Sequence, residues 1–125
     1  MTAFVWLLHE TVLAMHEEQL SEHGGGIGVR DHGLLESALM RPQQLAHYGN
    51  ADIAQLAAAY GFGLAKNHPF VDGNKRVAFA VTETFLVLNG VMLTATDEDC
   101  VTTILQLAAG EIDENEFADW IRGNI

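Results

Sequence analysis

The chain has 125 residues, 49% of them apolar, which suits one domain, 1–125, with a substantial core. Its 17 acids against 6 Lys and Arg, a formal net charge of −11, exclude a broadly basic nucleic-acid or anionic-membrane footprint. Its single Cys100 excludes an internal disulfide and a cysteine-rich zinc site, and the apolar run at 3–8 is too short for a signal peptide or a membrane span, which predicts a soluble, cytoplasmic protein.

Along the chain, residues 8–22 read as an amphipathic helix, with Leu8, Val12, Leu13, His16 and Leu20 on one stripe. Gly24, Gly25, Gly26 and Gly28 end it in a loop. Asp31 caps a short second helix through Leu34, Leu35, Ala38 and Leu39. Pro42 is expected to close it, because a proline pushes the preceding residue out of the helical region. The stretch 43–51 lacks helical period and reads as a surface loop or small hairpin. A helix over 52–67 carries Ile53, Leu56, Ala57, Tyr60 and Leu64 on its apolar face. Its small-residue stripe of Ala54, Ala58, Gly61 and Ala65 would let another helix approach closely. His68-Pro69 ends that helix, and another starts near Asn74, with Val77, Val81, Thr84, Phe85 and Leu88 predicted to be buried before Asn89-Gly90 stops it. Residues 91–93 read as a short extended piece. Thr96 and Asp99 resemble a capping box ahead of Val101, Ile104, Leu105 and Ala108. The last helix is capped by Asp113 with Glu116 three residues on, Ile112 stapling to Phe117, and Phe117, Trp120 and Ile121 facing inward. The predicted class is all-α, a compact bundle of about six helices with at most a short strand or hairpin.

Charge is unevenly placed. Lys66, Lys75 and Arg76 are half of the six basic residues and fall within eleven positions, whereas residues 97–125 hold eight acids and only Arg122. The basic cluster overlaps His68-Pro69-Phe70-Val71-Asp72-Gly73-Asn74-Lys75-Arg76. A helix that starts after Gly73 presents unpaired N–H groups and its positive dipole end, which suits phosphate, and glycine permits an anion-binding turn. Lys75 and Arg76 add positive charge, Asp72 offers a hard oxygen for Mg2+, and His68 can move a proton near neutral pH. This combination points to phosphoryl or nucleotidyl transfer, in which positioning and charge stabilisation dominate.

The same segment resembles the signature of the Fic/Doc family. The Fic form runs His-x-Phe-x-Asp/Glu-Gly-Asn-Gly-Arg, and the Doc (death-on-curing) form runs His-x-Phe-x-Asp/Asn-Ala/Gly-Asn-Lys-Arg. His68, Phe70, Asp72, Gly73, Asn74, Lys75 and Arg76 match the Doc form throughout. His16, the 24–28 glycine turn, Leu34-Leu35-Glu36-Ser37-Ala38 and Leu88-Asn89-Gly90 extend the resemblance over nearly the whole chain.

The resemblance implies roles by position. His68 would be the general base toward a target Ser or Thr hydroxyl, and Asp72 would hold Mg2+ on ATP phosphates. The backbone at 73–75 and the Asn74 side chain would cradle phosphate, Arg76 would neutralise it, and Phe70 would anchor the loop. Two departures from the Fic form bear on the reaction: Lys75 replaces a glycine, and Phe79 stands where Fic enzymes carry a second arginine. In the Doc branch this variation accompanies an inverted nucleotide and transfer of the γ-phosphate. The implied activity is phosphorylation of translation elongation factor Tu. AMP transfer is the alternative, since Gly73 is shared with the Fic form, and a catalytically inactive partner-binding module is a second one. The self-inhibitory Ser/Thr-x-x-x-Glu-Gly/Asn pattern is absent: Glu114-Asn115 has Gly110 where Ser or Thr is required. Inhibition in trans by a Phd-like antitoxin is implied, with Trp6 and Leu7 on the N-terminal helix as a candidate groove wall. Direct nucleic-acid contact is not expected.

Other groupings are read as structural. His9, His16 and His23 recur every seven residues, too far apart for one ion, and His16 on the apolar stripe reads as a core histidine with a hydrogen-bond partner. The glycine turn lacks the strand and Gly-Lys-Ser/Thr ending of a P-loop. Cys100 reads as a small buried hydrophobe.

Overall fold

The computed structural model describes residues 3–125. Six helices follow in order: α1 His9–His23, α2 His32–Tyr48, α3 Ile53–Asn67, α4 Asn74–Leu88, α5 Asp97–Ala109 and α6 Glu114–Arg122. The described residues hold no strand, only one isolated antiparallel bridge between Val29 and Phe70, so the all-α expectation holds.

The centre of the bundle is α3, against which α2, α4, α5 and α6 all pack. Its small residues make this possible. A Cβ on Gly61 would lie 2.5 Å from the Thr82 hydroxyl and 2.8 Å from the Phe117 ring, and one on Gly63 would lie 3.1 Å from the Ala38 methyl. The helix propensity lost at each glycine, about 1 kcal/mol, is offset by this close approach of α4, α6 and α2. Around α3 the core continues through Leu35, Val77, Val81, Phe85, Leu107, Phe117 and Ile121, all fully buried.

Four helices are N-capped by side chains: Asp31, Asp52, Thr96 and Asp113 each accept the N–H three residues on. Asp52 with Gln55 and Asp113 with Glu116 complete reciprocal capping boxes. By contrast, α4 starts at Gly73 with no side-chain cap.

Three local expectations are corrected. Pro42 does not close α2; it is buried inside the helix, which runs on through the predicted loop or hairpin to Tyr48. Proline cannot donate to the Ala38 carbonyl, but Leu45 and Ala46 pack on the core beyond it, and tertiary packing carries the helix past the local break. Residues 91–93 form no strand, although Val91 and Leu93 pack against the core. Trp6 and Leu7 precede α1 instead of lying on it. They are not a free groove wall: Trp6 stacks on Phe85 with centroids 5.6 Å apart, and buried Leu7 donates its N–H to the Tyr60 hydroxyl. The buried faces also shift at their edges, since Leu8 and Leu88 are exposed while Thr82 and Leu86 are buried.

Candidate active site

The 68–76 segment joins the end of α3 to the start of α4. His68 ends α3 in the left-handed region, φ 48 and ψ 55, where it is the sole non-glycine with positive φ among the described residues. Gly73 opens α4 with φ 77. Between them Phe70 turns into the core and is 1% exposed.

The loop is held from inside by Asn74. Its Oδ1 accepts the Phe70 N–H at 2.9 Å, and its Nδ2 donates to the Phe70 carbonyl at 3.0 Å. The side chain is buried and engaged at both ends, so it clamps the loop instead of reaching outward to a phosphate. Only the backbone of Asn74 remains for the cradle.

His16 supports the loop from α1. It is 3% exposed, its ring stacks on Phe70 at 3.8 Å and 11°, and its Nε2 lies 2.8 Å from the Asp72 carbonyl. A carbonyl only accepts, so Nε2 carries the proton. This is the core histidine with a partner that the stripe predicts.

From outside, the glycine turn and the residues after it wrap the loop. Val71 donates to the Gly28 carbonyl, and the N–H groups of Arg30 and Asp31 both reach the Pro69 carbonyl at 2.7 and 3.0 Å. The Gly26 N–H reaches the Asp72 carboxylate at 3.3 Å, joining the Gly73 N–H at 2.9 Å. Gly25 sits at φ 126, where a side chain is strained, and a Cβ there would come within 2.9 Å of that carboxylate, so glycine is favoured at this approach. The two N–H donors, Gly26 first, hold the Asp72 carboxyl below the usual carboxylate range, with smaller contributions from Arg76 and His16.

The exposed surface then carries His68, Asp72, Lys75 and Arg76. His68 and Lys75 line an open cleft of about 580 Å³ whose far wall is α5, through Thr102, Leu105 and Gln106. The uncapped first turn of α4 presents its N–H groups and positive dipole end beside Lys75 and Arg76. The described residues hold no cluster of three or more His, Cys, Asp or Glu placed to bind a metal. Asp72 alone suits Mg2+ held by one carboxylate and phosphate oxygens: each carboxylate oxygen accepts one N–H and keeps lone-pair capacity. Sequence reasoning left Arg30 without a role. Its rarity as one of six basic residues was the available signal.

Residues 6–86 match the model of the Fic/DOC family. The chain belongs to the Fic/Doc family. A curated relative, "Toxin Doc" of Mycolicibacterium smegmatis, is 51% identical over 75 residues, 58% of this chain and 57% of that protein. Another, "Protein kinase doc" of Escherichia phage P1, is 33% identical over 114 residues, 90% of each chain. Both relatives lie in the Doc branch, with which the residues at 68–76 agree. Phe79, at the position of the second Fic arginine, is partly buried and packs against the core, so no second arginine stands there. Within this Fic/Doc fold, Gly110 caps the C-terminus of α5 at φ 79 and Glu114 pairs with Arg41. No helix among the described residues is long and apolar enough to cross a membrane.

Proposed function

We propose that this Fic/Doc protein is a toxin of the Doc type that transfers the γ-phosphate of ATP to a Ser or Thr hydroxyl of elongation factor Tu in the cytoplasm, blocking translation. The observation that carries the reading is Lys75 in the first turn of α4, next to the uncapped helix start and sharing a cleft with His68. A glycine there would leave room for a diphosphate, as in the AMP-transferring form, whereas a lysine side chain would crowd that space. A relative named a protein kinase, alike over 90% of both chains, agrees with this choice.

In the proposed reaction His68 takes the proton of the target hydroxyl. The hydroxyl oxygen bonds to the γ-phosphorus, the bond from that phosphorus to the β-phosphate oxygen breaks, and ADP leaves. The α4 terminus, Lys75 and Arg76 meet the charge that spreads over the transferring oxygens. Asp72 is the residue that would hold Mg2+, which when bound neutralises the phosphates. Because the self-inhibitory pattern is missing, restraint comes in trans from a Phd-like antitoxin, which also supplies any contact with nucleic acid. AMP transfer is the second reading, favoured by Gly73, which the Fic form shares.

Intact-mass spectrometry of elongation factor Tu after incubation with the protein and Mg-ATP tests the proposal. The expected shift is one phosphate. A shift of one AMP moves the protein to the second reading, and an unmodified factor, with no nucleotide binding by calorimetry, makes it a partner-binding module.

A further inference from the structure

His68 occupies a position that its side chain disfavours. Helices commonly end in a left-handed residue, and that residue is usually glycine or asparagine because a Cβ is strained there. Here chemistry places a histidine at the end of α3, with φ 48 and ψ 55. Something must hold the backbone in that conformation.

The backbone of residue 68 is defined by two peptide planes, the one ending in the Asn67 carbonyl and the one ending in the His68 carbonyl. Fixing both planes fixes φ and ψ between them. The Arg30 guanidinium does this with one fork: Nε donates to the His68 carbonyl at 2.7 Å, and a terminal nitrogen donates to the Asn67 carbonyl at 2.9 Å. The fork is itself anchored, because the Arg30 N–H donates to the next carbonyl, Pro69, at 2.7 Å, and Asp31 donates to the same oxygen at 3.0 Å. Asn67 also ties back, donating from its side chain to the Leu34 carbonyl at 3.2 Å. The positive fork meets carbonyls at the negative end of α3. It touches neither Asp72 nor the start of α4.

We propose that Arg30 is a positioning residue for His68: its guanidinium spans the two peptide planes around His68 and holds the base in its left-handed conformation at the cleft. This rests on the reading of His68 as the general base. Lysine cannot replace it, since an ammonium is a single point and cannot hold two carbonyls in a fixed fork.

The test compares the full-length protein with Arg30→Ala and Arg30→Lys, using steady-state phosphate transfer and the NMR backbone carbon shifts of His68. Arg30→Ala should lower kcat by roughly tenfold or more while KM for Mg-ATP stays within about twofold, because misplacing a catalytic group acts on the chemical step. The His68 shifts should leave their left-handed values while those of Phe70 and Asn74 stay in place. Arg30→Lys should restore only part of either readout, and it carries the test if Arg30→Ala does not fold. Unchanged His68 shifts, full activity in Arg30→Lys, or a loss confined to KM would overturn the proposal. If the wild-type protein transfers no phosphate, the functional reading fails, and the His68 shifts alone decide the role of Arg30.

Discussion

At the scale of single residues, the site is built by amides and carbonyls as much as by charged side chains. Asn74 makes this concrete. Its buried amide acts as a surrogate peptide group, meeting the N–H and the carbonyl of Phe70 together. Asn89 repeats the device on the Val5 backbone. Asn74→Ala therefore removes two buried hydrogen bonds and leaves the Phe70 groups unpaired, which should cost about 2–3 kcal/mol in urea unfolding. Phosphate transfer should fall with it, because Phe70 would no longer anchor the loop. Unchanged stability would show that the clamp is dispensable. The roles expected from the sequence separate here. His68, Asp72, Lys75 and Arg76 are exposed and available to ligands, whereas the Asn74 side chain is internal. Residue type alone could not show this, since the same amide can face a phosphate or a peptide.

At the scale of elements, the decisive feature is how closely the neighbours of α3 approach it. Gly61→Ala raises intrinsic helix propensity by about 1 kcal/mol, yet its new methyl would meet Thr82 and Phe117 at 2.5 and 2.8 Å. Overpacking of this kind costs about 1–3 kcal/mol, so the variant should be destabilised by chemical denaturation despite its better propensity. A stabilised variant would contradict the close packing. The helices themselves were legible: periodic apolar positions and the caps at Asp31, Thr96 and Asp113 mark five of the six closely. The exception is the second half of α2. Pro42 is a sound local stop signal, and a rule about neighbouring residues has no access to the core on which Leu45 and Ala46 pack. The supports of the active loop were hidden for a related reason. Arg30 reaches across 38 residues to His68, and His16 across 56 to Asp72, and contacts at that separation leave no periodic trace.

At the scale of the whole molecule, a strongly acidic protein concentrates positive potential at one helix start. Lys75, Arg76 and the α4 dipole converge on a small region, while acids dominate α5 and α6. That arrangement suits a small polyanion, the Mg-ATP of the proposed reaction, better than an extended one. Membership of the Fic/Doc family, with 90% of the chain aligned to a phage protein kinase, places this potential where the family's signature lies. The measurement that bears most directly on γ-phosphate transfer is incubation of elongation factor Tu with ATP labelled at either the γ- or the α-phosphorus, using wild-type protein and His68→Ala. Label from the γ position alone, abolished by His68→Ala, is the predicted result. Label from the α position, or γ-labelling that survives His68→Ala, would contradict it.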